Sequence, residues 1–153
     1  MSDQLKFQYC QKIVLLNDAK DAVLLARRKG EADYDGVYSF IGGKMETTDG
    51  GFVEGLRREK NEEVGSDVQI SISPMTTWNA YFVKKSGDSM VLPHYVAIYR
   101  GGEIRLNDEY ADYKWVKLDQ LESFEPKIDT IESAVHWAIA QAQHLAPADF
   151  LTI

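Results

Sequence analysis

Gly42-Gly43-Lys44-Met45-Glu46 and, a short interval later, Arg58-Glu59-Lys60-Asn61-Glu62-Glu63-Val64-Gly65 decide how this sequence is read. The second run falls in a segment, Gly51 to Val64, whose apolar residues Phe52, Leu56 and Val64 recur close to a four-residue spacing. That spacing predicts a helix, and Gly65 is well placed to end it. At about 100° per residue, Glu59, Glu62 and Glu63 share an arc of roughly 100°. Three carboxylates therefore converge beside the helix. A helix alone disfavours this. Glu59 repels Glu62 at i,i+3 and Glu63 at i,i+4, each by a few tenths of a kcal/mol, and the C-terminal half of a helix dipole favours cations. A divalent cation reverses both penalties, because Mg²⁺ takes oxygen ligands, often one or two carboxylates with substrate phosphates completing the shell. The plainer reading is a solvated acidic face balanced by Arg57, Arg58 and Lys60. The upstream loop tips the balance. A double glycine permits backbone conformations and close approach that a Cβ would block, and such a loop can aim carbonyls at a metal or amides at a phosphate. Lys44 adds a cation beside it.

Outward from this centre the chain reads as strands, helix, more strands, helix. Phe7–Leu16 carries a β-branched apolar stretch, Asn17 to Asp21 supplies turn chemistry, and Ala22–Arg27 resumes an apolar run, which together predict a hairpin. Val37–Ile41 is a short strand running into Gly42-Gly43. Val68, Ile70 and Ile72 alternate as a half-buried strand does. Further strands are expected over Thr76–Lys84, Val91–Arg100 and Tyr113–Val116, and a closing helix over Ile128–Leu145 with the apolar stripe Ile131, Val135, Ala138, Ile139, Ala142. Mixed hairpin and crossover connections predict an α+β domain, a mixed sheet with helices on its faces.

Composition sets the outer limits. The chain has 153 residues, 44% hydrophobic and 27% charged, which suits one globular domain over 1–153. A single cysteine, Cys10, excludes an internal disulfide and suits a reduced compartment. Lys and Arg number 17 against 24 Asp and Glu, a net charge of −7. That excludes a general binder of nucleic-acid polymers or anionic membranes, which needs a basic footprint. The first residues lack the basic-then-apolar order of a secretory leader. The longest apolar runs, Ala22–Ala26 and Tyr95–Tyr99, are far short of the ~20 residues that cross a bilayer. The expectation is a soluble, cytoplasmic protein.

At the residues quoted first, the chain resembles the Nudix hydrolase family. Its signature is Gly, five residues, Glu, seven residues, then Arg-Glu-apolar-x-Glu-Glu-x-Gly-apolar. Gly43 takes the first glycine, and Arg58-Glu59-x-x-Glu62-Glu63-x-Gly65 takes the second half. Asp49 stands where the first glutamate is expected, one extra residue precedes Arg58, and Lys60 and Ser66 replace apolar residues. The lead-in Tyr38 to Glu46 is similar to the family's, with Ile41 in place of proline. Glu109 to Leu118 is similar to its acidic, then Trp-Val, segment. The resemblance implies an α/β/α sandwich with a mixed, curved sheet, and Mg²⁺- or Mn²⁺-dependent hydrolysis of a nucleoside diphosphate linked to another group. A nucleoside triphosphate cleaved to monophosphate and pyrophosphate is the leading substrate class. ADP-ribose, sugar nucleotides and dinucleotides are the alternatives, as is a non-catalytic nucleotide- or partner-binding module. It further implies Gly43, Glu59, Glu62 and Glu63 as metal ligands and Arg58 as the residue that holds the glutamates. Glu109 is the candidate general base, with Asp112 second. Lys44 and Arg28 are candidates for substrate phosphates. The expected partner is a small nucleotide, with a homodimer left open. Trp78, Tyr81, Phe82 and Tyr95 are candidates for base stacking or for the core. His94, His136 and His144 lack metal spacing, and Cys10 reads as a buried small residue.

Overall fold

The computed structural model describes residues 3–153. Met1 and Ser2, which the one-domain and no-leader expectations include, lie outside the described residues. The hairpin forms as its sequence predicts, between β1 (Gln8–Leu16) and β2 (Ala22–Arg28). Asn17 closes it by accepting from the backbone N–H of Asp21 and of Ala22 at 2.9 and 3.0 Å, the local bonding that suits Asn to turns.

The two strands then diverge, and the chain from Tyr38 to Lys44 enters the gap. Its first part, β3 (Tyr38–Ser39), pairs with β2, and its second, β4 (Ile41–Lys44), pairs with β1. Phe40 sits at the changeover, and the arrangement carries Gly42 and Gly43 into the sheet beside Lys12 and Gln11. The other elements are α1 (Phe52–Glu63), β5 (Gln69–Val83), β6 (Ser89–Gly101), β7 (Tyr110–Lys117), α2 (Ile131–His144) and β8 (Leu151–Thr152). The eight-stranded sheet runs β3-β2-β1-β6-β5-β8, with β4 added beside β1 and β7 beside β2. The β1–β6 pair is parallel and the others antiparallel, so the sheet is mixed.

Alternation divides the core in two. Ile13, Leu15, Ile41, Ile70 and Tyr95 face one way and pack with Leu56 of α1. Val14, Leu16, Phe40, Val96 and Ile98 face the other and pack with Ile131, Val135 and Ala138 of α2. Helices therefore cover both faces, and the α+β sandwich expected from the sequence is the fold observed. The differences are local. The two strands expected over Val68–Ile72 and Thr76–Lys84 are one strand, β5, whose register slips between Ile72 and Thr77. Pro74 lies in that slip and has no N–H to give the ladder. Strand β7 starts at Tyr110 rather than Tyr113, and α2 starts at Ile131 rather than Ile128. Strand β8, at two residues, is too short to show a period in the sequence.

Candidate active site

Each member of the quoted motif has a distinct reason for its place. Gly42 adopts φ +124°, and a Cβ there would collide with the Gln11 carbonyl. Its N–H donates to Glu63 Oε2. Gly43 serves by what it lacks: a Cβ would stand 2.5 Å from Glu59 Oε2. The double glycine, expected from the sequence as a loop, is part of strand β4, and only a bare backbone lets the Glu59 carboxylate lie against it. Glu63 is 2% exposed, and its Oε2 also accepts from the Tyr110 hydroxyl at 3.1 Å. Burial pushes its proton affinity up to about 8, against the pull of Lys12 and the Gly42 N–H. Burial likewise raises Glu59, and Arg58 opposes it. Two carboxylates are thus desolvated side by side with too little positive charge among the surrounding protein groups.

Arg58 organises the turn. Its Nε and Nη2 form a fork on Asp49 at 2.8 and 2.9 Å, and Nη2 also donates to the Lys44 carbonyl at 3.0 Å. Nη1 bonds Glu59 Oε1 at 2.9 Å and Glu62 Oε2 at 3.2 Å. Asp49 is held well below the usual carboxylate range, to about 2, chiefly by this guanidinium. It also accepts from the Glu46 N–H at 2.8 Å. Asp49, in the place of the signature's first acid, thus pairs with Arg58 through a bidentate contact despite the extra residue between them. Lys60, in a position where the signature has an apolar residue, is 3% exposed. Its Nζ donates to the Val68 carbonyl at 2.6 Å.

Gly43, Lys44, Glu59, Glu62, Glu63, Arg28 and Glu109 all line one cavity of about 770 Å³, and Arg58 is not part of its lining. Glu109 is exposed on the rim, held by Asn107 Nδ2 at 3.0 Å. Its charge reaches Glu59 and Glu63. Arg28 pairs loosely with Glu31 at 3.4 Å, and its Nε is buried with no partner among the described residues. Lys44 is exposed at the mouth. Asp112, the second candidate base, instead accepts from the Tyr38 hydroxyl at 2.9 Å and does not line the cavity. Of the aromatics, Phe82 and Tyr81 line the cavity, whereas Tyr95 is buried against α1 and bonds Tyr9. Trp78 packs on His94. His136 and His144 are exposed, and Cys10 is buried in the cavity floor.

The donor set fits a hard divalent cation. Carboxylate oxygens of two buried glutamates adjoin the glycine backbone of strand β4, where a Cβ on Gly43 would exclude Glu59, and oxygen donors are what Mg²⁺ and Mn²⁺ take. Among the described residues no three acidic, histidine or cysteine side chains form a closed cage, and Arg58 bridges Glu59 and Glu62 at the surface. Lys12, His94, Tyr110 and Asp49 belong to the site or its support but were not reached from the sequence. The first three lie on strands whose neighbours across the sheet obey no spacing rule. Asp49 had a signal, since it stands in the place of the signature's first acid.

Comparisons with known proteins follow the same lines. Residues 9–137 match the model of the NUDIX domain. Nucleoside triphosphatase NudI of Salmonella schwarzengrund is 30% identical over 104 residues, 63% of this chain and 73% of that protein. The structure of a MutT NUDIX hydrolase from Burkholderia pseudomallei aligns with a TM-score of 0.69 at 24% identity, covering 86% of this chain and 97% of the other. That of a C. elegans Ap4A hydrolase binary complex aligns with a TM-score of 0.73 at 15% identity, covering 90% and 99%. At these identities the structural likeness shows the fold.

Proposed function

The chain belongs to the NUDIX family of hydrolases that cleave pyrophosphate bonds in nucleoside-diphosphate-linked substrates, and from that premise we propose that it hydrolyses a nucleoside triphosphate to the monophosphate and pyrophosphate. The observation that carries this reading is the pair of buried, desolvated carboxylates, Glu59 and Glu63, against Gly42 and Gly43 of strand β4. In it, Glu59, Glu63 and the Gly43 carbonyl hold Mg²⁺ or Mn²⁺, with Glu62 as a further ligand. Such an ion neutralises phosphate charge, polarises phosphorus and lowers the pKa of attacking water. Arg58 holds Glu59 and Glu62 in register. Glu109, on the rim, takes the water's proton as the α–β phosphoanhydride P–O bond breaks and a new O–P bond forms. Arg28, with an unpartnered buried Nε, and Lys44 receive phosphate oxygens.

NudI, a nucleoside triphosphatase at 30% identity, supports the triphosphate class. Lys60 and the added loop residue leave a non-catalytic module as the alternative, but Glu59, Glu62 and Glu63 are all present, Lys60 bonds the Val68 carbonyl and Asp49 still pairs with Arg58, which supports turnover. The whole chain, 1–153, acts as one hydrolase domain in this reading. No helix among the described residues is long and apolar enough to cross a membrane, which is in keeping with action in the cytoplasm, where nucleotides and Mg²⁺ are abundant. The test is a product-mass assay with Mg²⁺ or Mn²⁺ over nucleoside triphosphates, ADP-ribose, sugar nucleotides and dinucleotides. Monophosphate and pyrophosphate from a triphosphate are expected. Preferential cleavage of another class moves the substrate assignment, and tight nucleotide binding with no turnover of any compound overturns the enzyme.

A further inference from the structure

The cavity holds two polar side chains that metal ligation leaves unused. Gly42 of β4, Lys12 of β1, His94 of β6 and Trp78 of β5 are successive partners across the sheet. Lys12 and His94 therefore stand on neighbouring strands about 4.8 Å apart, and both line the cavity. Lys12 is 7% exposed, and its ammonium makes one long bond, 3.4 Å to the Gly42 carbonyl, which leaves two N–H donors free among the described residues. His94 is 2% exposed and is wedged edge-on between Phe40 and Trp78, with centroids at 5.4 and 5.1 Å. Its Nδ1 lies 2.8 Å from the Leu92 carbonyl and 3.1 Å from the Trp78 carbonyl. Carbonyls accept and never donate, so Nδ1 carries the proton. Burial keeps the ring neutral by lowering its pKa to about 4.

Nε2 is therefore a lone pair with no donor among the described residues. Among the described residues the fully enclosed unpartnered side-chain polar atoms are Gln11 Oε1, Arg28 Nε and Ser73 Oγ; Nε2 is not one of them, so it opens on the cavity the ring lines. Toward the β5–β6 turn the floor becomes apolar, with Leu92 opposite Ala80 and Met90 opposite Phe82. Tyr34 packs on Phe82 at 5.4 Å between centroids. Apolar and aromatic surface takes a base by its face, which every base possesses, rather than by its edge.

We propose that Lys12 and His94 read the sugar–phosphate junction of the nucleotide. Lys12 Nζ contacts the phosphate adjoining the nucleoside, and His94 Nε2 accepts a hydrogen bond from a ribose hydroxyl. The class selected is then defined at the sugar more than at the base. One strand spacing separates the two side chains, and the donor nearest that phosphate in a nucleotide is a ribose hydroxyl. The base edge lies farther out, over the apolar floor. This rests on the nucleotide-hydrolase reading above.

The experiment uses α,β-methylene ATP and its 2′-deoxy and 3′-deoxy counterparts with Mg²⁺, calorimetry for Kd, and the ¹⁵N resonance of His94 Nε2 in the wild-type protein. The parent analogue is expected to shift Nε2. One deoxy analogue is expected to bind about tenfold more weakly and leave Nε2 at its free position, the size of one lost hydrogen bond. α,β-Methylene UTP is expected to bind within about threefold of the ATP analogue, since stacking tolerates base identity. His94→Phe should erase the difference between sugars, and Lys12→Met should weaken all three analogues by a similar factor. Equal binding of all three with Nε2 unmoved overturns the proposal, as does a shift that follows the base and not the sugar. Binding with the expected shift but no turnover of ATP overturns only the hydrolase reading. Turnover with Nε2 unmoved overturns only the sugar reading, and neither binding nor turnover overturns both.

Discussion

Glu63 has two hydrogen-bond donors on one oxygen and almost no contact with water, so its charge is costly until a cation arrives. Its folded-state pKa, about 8, lies above the ordinary value of 4.5, so between these the folded protein binds the extra proton. Stability from this group is full below 4.5 and is lost as pH rises through 8. His94 acts oppositely but lower: its folded pKa of about 4 lies below 6.5, so its contribution is complete above 6.5. Between pH 6.5 and 8 the metal-free protein should lose about 2 kcal/mol through Glu63, read as a falling Tm. Mg²⁺ should offset the loss, since binding requires the carboxylate. Glu63→Gln should flatten the profile, and a profile that stays steep in that variant assigns the titration elsewhere. The three glutamates were legible because helical periodicity is local. Lys12, His94 and Tyr110 were not, because a sheet brings together residues that no sequence interval relates.

The Tyr38–Lys44 segment, wedged between β1 and β2, is the element that sets the site, and its two glycines make different demands. Gly42→Ala would force a Cβ into the Gln11 backbone at φ +124° and should cost about 2 kcal/mol or more of folding stability in denaturant titration. Gly43→Ala lacks the backbone penalty but displaces the Glu59 carboxylate. Activity should fall at least tenfold with Tm nearly kept, and an unchanged rate would remove Glu59 from the metal shell. On α1, Lys60 supplies apolar stem and satisfies the Val68 carbonyl, so Lys60→Met should be neutral or stabilising, by about 1 kcal/mol at most. A loss of several kcal/mol would show that the ammonium bond is essential to the helix seat. The helix and hairpin were readable from periodicity and turn residues. The continuity of β5 through Pro74 was not, because a bulge inside a strand and a break between strands carry the same local signal.

Across the whole molecule, a charge of −7 coexists with a cavity suited to a phosphorylated ligand because the excess is not spread evenly. Glu59, Glu62 and Glu63 share one helix, with Glu109 opposite them on the rim. In the proposed reading, phosphate charge falls to a cation beside these glutamates and to Lys12 and Arg28, which line the same cavity, while a net charge of −7 disfavours polyanions. The fold that holds this arrangement was legible at the level of class, since two helical faces and alternating strands specify a covered mixed sheet. The cavity was not, because its lining comes from eight separate stretches of the chain. The most direct test compares steady-state hydrolysis of a nucleoside triphosphate by the wild-type protein and Glu63→Gln, with Mg²⁺ and after its removal by chelator. The account predicts monophosphate and pyrophosphate from the wild-type protein with Mg²⁺ alone, and a rate about 100-fold lower or less in a folded Glu63→Gln variant. Turnover that survives both chelation and the substitution would contradict it.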